Sequence, residues 1–235
     1  MCIPLKLNEI KKSYETVYSL GYWCDTAGQL QGHGLRKFSG PFDWVLTTSL
    51  SYISRVIQSN FHNYMKFENL HFLGYSEISV DKDDTHHYHH KTYVLLDTFS
   101  NIISAHDFPV NENENENWPV AYEEFRKTLT RRLDRFINKI KNTESTLFVR
   151  MQATYEEAIE FRSVIRSITD KPFTILIVNP VEGISKMEET DWNLDQVVCV
   201  NVPIVSSFDF YKNLIKKVNQ EDWTKILSGI QIKAQ

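Results

Sequence analysis

The sequence predicts an α/β fold, a mixed and largely parallel central sheet flanked by helices. Three observations predict it. From residue 119 onward, strand-like and helix-like segments alternate, the order that carries a chain from one parallel strand to the next through a helix. The strand candidates there are short, unbroken apolar runs rather than alternating ones. No internal repeat and no linker interrupts the chain, so residues 1–235 read as a single domain. Within it, residues 1–110 carry a cysteine, an aspartate and a histidine block, and residues 119–235 carry the α/β part.

ETVYSLGY (15–22) is β-branched and aromatic and ends at Gly21, which predicts a buried strand. Residues 24–36 follow as a short helix, with Asp25 and Thr26 suited to its first turn and Gly32 and Gly34 to its end. FSGPFDW (38–44) is a turn whose aromatic residues crowd Asp43 against the core. In TTSLSYISRVIQSN (47–60), Leu50, Ile53, Val56 and Ile57 recur at helical spacing, behind a Thr47, Thr48 or Ser49 cap. Residues 61–80 read as strand and loop, and DKDDTHHYHHK (81–91) as a polar loop or edge strand. KTYVLLDTF (91–99) and NIISAHDF (101–108) read as strands, and NENENENW (111–118) as a charged loop.

The second half begins with a long helix over 119–142, with Phe125, Leu129, Leu133, Phe136 and Ile140 on one face. Its basic stretch RKTLTRRLDR (126–135) reads as a solvated face. Strands at 146–151, 172–180 and 197–203 then alternate with helices at 154–168 and 207–218.

Composition narrows the function. A net charge of −4 and a pI near 6.1 give no basic surface for nucleic acid or an anionic membrane. No run approaches the roughly 20 apolar residues of a membrane span, and the N-terminus lacks the apolar core of a signal peptide. The three cysteines, Cys2, Cys24 and Cys199, form no CxxC pair. They suit a reducing cytoplasm better than a disulfide framework or a zinc site. GQLQGHG is neither a dinucleotide fingerprint nor a phosphate loop, so no cofactor is expected.

The chemistry gathers around Cys24. A thiol in the first turn of a helix feels the positive end of the helix dipole, beside unpaired backbone N–H groups. Both favour the reactive thiolate, and the same N–H groups can hold an oxyanion. His106, at the end of an apolar strand, is the candidate base, and Asp43 the candidate that orients it. Ser19, Tyr22 and Asp107, beside the cysteine and the histidine, are assigned to the substrate site. Arg150 and Asn179 end two predicted parallel strands, where ligand-contacting groups gather, and Arg150 suits a carboxylate or phosphate. His86, His87, His89 and His90, with Asp83 and Asp84, could bind a metal, but their polar setting reads as a solvated loop and no metal site is assigned.

SLGYWC (19–24), KFSGPFDW (37–44), HDF (106–108), RRLDRF (131–136) and LFVR (147–150) together resemble a family described as papain-like cysteine peptidases, of unknown function and found mainly in bacteria. The blocks run in the same order from about residue 15 to 180. The resemblance implies a nucleophile at Cys24, a histidine at His106 and Asp43 as a further member of the signature. It makes a papain-like α+β arrangement the alternative fold. Two features depart from a papain-type enzyme. Tyr18 and Ser19 stand where a glutamine usually donates to the oxyanion, and the second half alternates strand and helix.

The leading expectation is a thiol-dependent acyl enzyme, an amide or thioester hydrolase or an acyltransferase, acting on a small-molecule, peptidyl or acyl substrate. The alternative is a non-catalytic module that binds an anionic small molecule or sugar phosphate through Arg150 and the aromatic loop.

Overall fold

The computed structural model describes residues 5–83, 86–110 and 118–233. In chain order the strands are β1 (Ser13–Tyr14), β2 (Thr16–Ser19), β3 (Val45–Leu46), β4 (Leu70–Asp83), β5 (His86–Asp97), β6 (Ile102–Ser104), β7 (Thr146–Met151), β8 (Phe173–Val181), β9 (Glu188–Thr190), β10 (Val197–Pro203), β11 (Ser206–Phe210), β12 (Asn213–Lys217) and β13 (Gln231–Ile232). The helices are α1 (Cys24–Gly32), α2 (Leu50–Gln58), α3 (Tyr122–Asn142), α4 (Tyr155–Ile168) and α5 (Gln220–Leu227).

The unbroken apolar runs form the centre. β2, β7, β8 and β10 lie parallel in that order, and β9 adds an antiparallel edge. Both faces of this sheet are covered, which is why its strands show no polar alternation. Phe148, Ile175 and Ile177 point into one cluster, filled by Phe125, Leu129 and Phe136 of α3, Phe161 and Ile165 of α4, and Ile53 and Val56 of α2. Leu147, Val149, Leu176 and Val178 point the other way, onto Leu30 of α1 and Trp223, Ile226 and Leu227 of α5. The α/β reading with a mostly parallel central sheet therefore holds.

A second, antiparallel sheet has the order β3-β6-β5-β4. β3 pairs with β6 through Val45 with Ser104 and Leu46 with Ile103. This short ladder stands between the blocks that carry Cys24 and His106.

Several expectations change. Residues 207–218 are not a helix: β11 and β12 form a separate two-stranded hairpin. Phe208 and Phe210, two residues apart, share a face, which is a strand spacing. The helix near the C-terminus is α5, opened by Asn219, whose side chain accepts from the Asp222 N–H at 2.7 Å. His86 to His90 belong to the backbone of β5, opposite residues 78–83 of β4, rather than to a loop. Their side chains, with Asp83 and Asp84, lie outside the described residues, as does the 111–117 stretch. The 126–135 stretch is only in part a solvated face: Lys127, Thr130, Arg131 and Asp134 are exposed, but three of its arginines turn inward. Arg132 is buried against Asp107 at 3.0 Å, Arg126 donates to the Tyr64 carbonyl at 2.9 Å, and Arg135 donates to the Ser39 carbonyl at 2.7 Å. Among the described residues, no helix is long and apolar enough to cross a membrane.

Candidate active site

β2 ends at Ser19, and five residues later Cys24 opens α1. Gly21 and Tyr22 between them both have left-handed backbones, with φ of 75° and 82°. Only glycine fits the first position. A Cβ on Gly21 would stand 2.9 Å from Thr47 Cγ2 and 3.3 Å from the Phe42 carbonyl oxygen. Tyr22 has no such excuse, so its backbone is strained, and such strain persists only where the surroundings over-determine it.

The surroundings are visible. Ser19 Oγ accepts from the Gly21 N–H at 3.2 Å, and the Thr47 N–H donates to the Tyr22 carbonyl at 3.2 Å. Arg150, fully buried, donates through Nη1 to the Leu20 carbonyl at 2.8 Å, through Nη2 to the Thr47 carbonyl at 2.8 Å, and through Nε to the Gln152 carbonyl at 3.0 Å. Its guanidinium is thus spent on the backbone that presents Cys24, and its place is that of a clamp beneath the site. Asn179 is committed in the same way. It exchanges two hydrogen bonds with the Ala153 backbone, at 2.9 and 3.1 Å, and approaches Cys199 Sγ at 3.6 Å. Tyr22 is buried, its hydroxyl oxygen accepting from the Lys216 N–H at 2.8 Å.

Cys24 is the first residue of α1, and the cap residue, Trp23, contributes no side-chain hydrogen bond. The first-turn amides are therefore not taken by a capping side chain. The thiol nevertheless keeps its proton. Burial pushes it from an ordinary 9.0 up to about 12, and the neighbouring Asp25 adds to the rise, while Lys217 pulls the other way. Even a favourable helix terminus, worth about 2 kcal/mol, lowers a pKa by only about 1.5. Burial outweighs that pull.

The histidine block lies at the other end of β3. His106 is buried, its ring centroid 5.2 Å from that of Trp44. Trp44 also carries the Arg36 guanidinium at 4.8 Å from its ring. The Asp43 carboxylate accepts from Arg36 Nε and from the Gly40 N–H, each at 2.8 Å. Asp43 therefore holds the arginine, and it meets the imidazole through the residues that they share. Asp107 accepts from Arg132 at 3.0 Å and from the Ser104 hydroxyl at 2.8 Å, which fixes the peptide that carries His106. Among the described residues, no hydrogen bond joins Cys24 to His106. Tyr22 is tied to Thr47 and His106 packs on Trp44, at the two ends of β3.

The sequence assigns no site role to Arg36, Arg132, Asp25 or Lys217. Arg36 and Arg132 act at a distance along the chain on Asp43 and Asp107, so no local spacing marks them. Asp25 was legible as a neighbour of the thiol, but only burial turns its charge into an effect on that thiol.

A strained turn that delivers a cysteine to the start of a helix beside a parallel sheet defines a cysteine-centred α/β protein. The chain belongs to the family described as "Putative papain-like cysteine peptidase (DUF1796)", which matches residues 15–183. It is also similar to an uncharacterised protein of Acanthamoeba polyphaga mimivirus, 25% identical over 218 residues that cover 88% of this chain and 87% of the relative. No solved structure matches the chain.

Proposed function

We propose that the chain is a thiol-dependent acyl enzyme, an amide or thioester hydrolase or an acyltransferase, and that the described arrangement is its resting form. The observation that carries the reading is the Gly21–Tyr22 turn. A strained, buried, clamped backbone sets Cys24 at a helix start whose amides lack a side-chain cap. In the working state Cys24 attacks the acyl carbon, the first-turn N–H groups of α1 hold the oxyanion, and water or an amine releases the acyl group. His106 takes the thiol proton and returns it to the leaving group. Asp43 is proposed to position that imidazole through Arg36 and Trp44 rather than to bond to it. Membership of a family described as cysteine peptidases supports the reading. The non-catalytic alternative is weakened, because the cation that it relied on, Arg150, donates inward.

The test is turnover of a panel of acyl thioesters and peptide amides by wild type, Cys24→Ser and His106→Gln. Cys24→Ser should abolish it, and His106→Gln should lower it by about 10²-fold or more. Undiminished turnover in Cys24→Ser overturns the nucleophile. Undiminished turnover in His106→Gln removes the histidine alone.

A further inference from the structure

The β11–β12 hairpin pairs with no other strand among those described, yet it lies against the segment that carries Cys24. Trp23 is wedged edge-on between Phe208 and Phe210, with ring centroids 5.6 and 4.8 Å away. The Lys216 N–H holds the Tyr22 hydroxyl at 2.8 Å, and the Lys217 charge is felt at the thiol itself. The hairpin therefore packs on Tyr22 and Trp23, the two residues that lead into Cys24.

At its tip, Tyr211 makes a contact of unusual form. Tyr211 donates its hydroxyl to the Tyr75 carbonyl at 2.9 Å. It reaches that carbonyl across Gly74, where a bulge interrupts the β4–β5 register. Gly74 has φ of 153°, and a Cβ built there would run into the Tyr211 hydroxyl and stand 3.1 Å from its Cε1. The glycine makes a notch that one ring fills. The turn that presents this ring, Tyr211–Lys212, has left-handed φ of 48° and 64° without the glycine or asparagine that such turns favour. Beside it the tip borders an open cleft of about 590 Å³, lined in part by Thr48, Leu73, Leu96 and Lys212, whereas farther along β12 the Ile215 side chain is buried in the core.

We propose that the β11–β12 hairpin is a lid over Cys24, latched shut by Tyr211 in the Gly74 notch, and that its release uncovers the thiol. Opening withdraws Phe208 and Phe210 from Trp23 and the Lys216 N–H from Tyr22. The arginine clamp under the turn stays in place, because Arg150 donates to the Leu20, Thr47 and Gln152 carbonyls, which lie outside the hairpin. The purpose of the lid rests on the acyl-enzyme reading, but its existence does not.

The test is iodoacetamide labelling at pH 8, resolved by peptide mapping into Cys24 and Cys199. Tyr211→Ala should speed Cys24 labelling about ten-fold, since it removes both the hydrogen bond and the ring. Tyr211→Phe, which keeps the ring, should give a smaller rise in the same direction. Cys199 should label at its wild-type rate in both, which also reports that the fold is intact. Unchanged Cys24 labelling in these variants, or Cys24 and Cys199 rising together, overturns the lid. Labelling needs no substrate, so this result stands apart from any turnover measurement.

Discussion

Cys24 and Cys199 are both reduced, both shielded, and both pushed up to about 12 by burial. Their surroundings differ in kind. Cys199 lies in the middle of β10, between the parallel ladder to β8 and the β9 edge, 3% exposed, with Asn179 against its sulfur. Its cover is the sheet core, and removing that cover would unfold the protein. Cys24 stands half-buried at a helix start, on a strained turn whose Tyr22 and Trp23 pack against a hairpin of two strands. Protonation in the resting form therefore does not separate a packing cysteine from a reactive one. What separates them is whether the shield can leave without the fold.

The largest effect that would sharpen this contrast lies under the turn. Arg150→Met removes the donor shared by Leu20, Thr47 and Gln152 and leaves their carbonyls buried without it. A loss on the order of 3–5 kcal/mol in urea unfolding is expected. At temperatures where the variant is folded, Cys24 labelling should rise more than Cys199 labelling. A cost under about 1 kcal/mol, no more than an ordinary hydrogen bond, would break the claim that the turn is clamped.

A smaller effect concerns charge. Asp25 raises the Cys24 thiol, so Asp25→Asn should move its pH–labelling curve to lower pH and leave that of Cys199 in place. In wild type the rate at Cys24 should still be climbing above pH 9, because the protonated form persists toward about 12. A plateau at or below pH 8 would mean an activated thiolate, and the contrast would have to be redrawn.

Much of the fold was legible because it is local. The apolar runs at 146–151, 172–180 and 197–203 became β7, β8 and β10 within a residue or so, and Ser49, Leu50, Ile53 and Val56 announced α2. The hairpin was not legible. Its turn residues, Tyr211 and Lys212, carry no turn signal, and Phe208, Tyr211 and Ile215 happen also to match a helical stripe. The site divides the same way. The strand–turn–cysteine–helix order could be read from SLGYWC, and the two glycine-rich stops from GQLQGHG. The packing around that cysteine could not, since Phe208, Phe210 and the Lys216 N–H, which hold the neighbouring Trp23 and Tyr22, lie nearly two hundred residues away. The inward roles of Arg36, Arg132 and Arg150 escaped for the same reason: a cation looks solvent-facing until its buried carboxylate or carbonyl partner is known.

The account rests on Cys24 becoming acylated. The direct measurement is the intact mass of the protein, quenched in acid during turnover of an acyl thioester and then mapped by peptide. The account predicts one acyl group on the peptide that contains Cys24, absent from Cys24→Ser. Turnover with no acyl group on that peptide, or with the group on another residue, would contradict it.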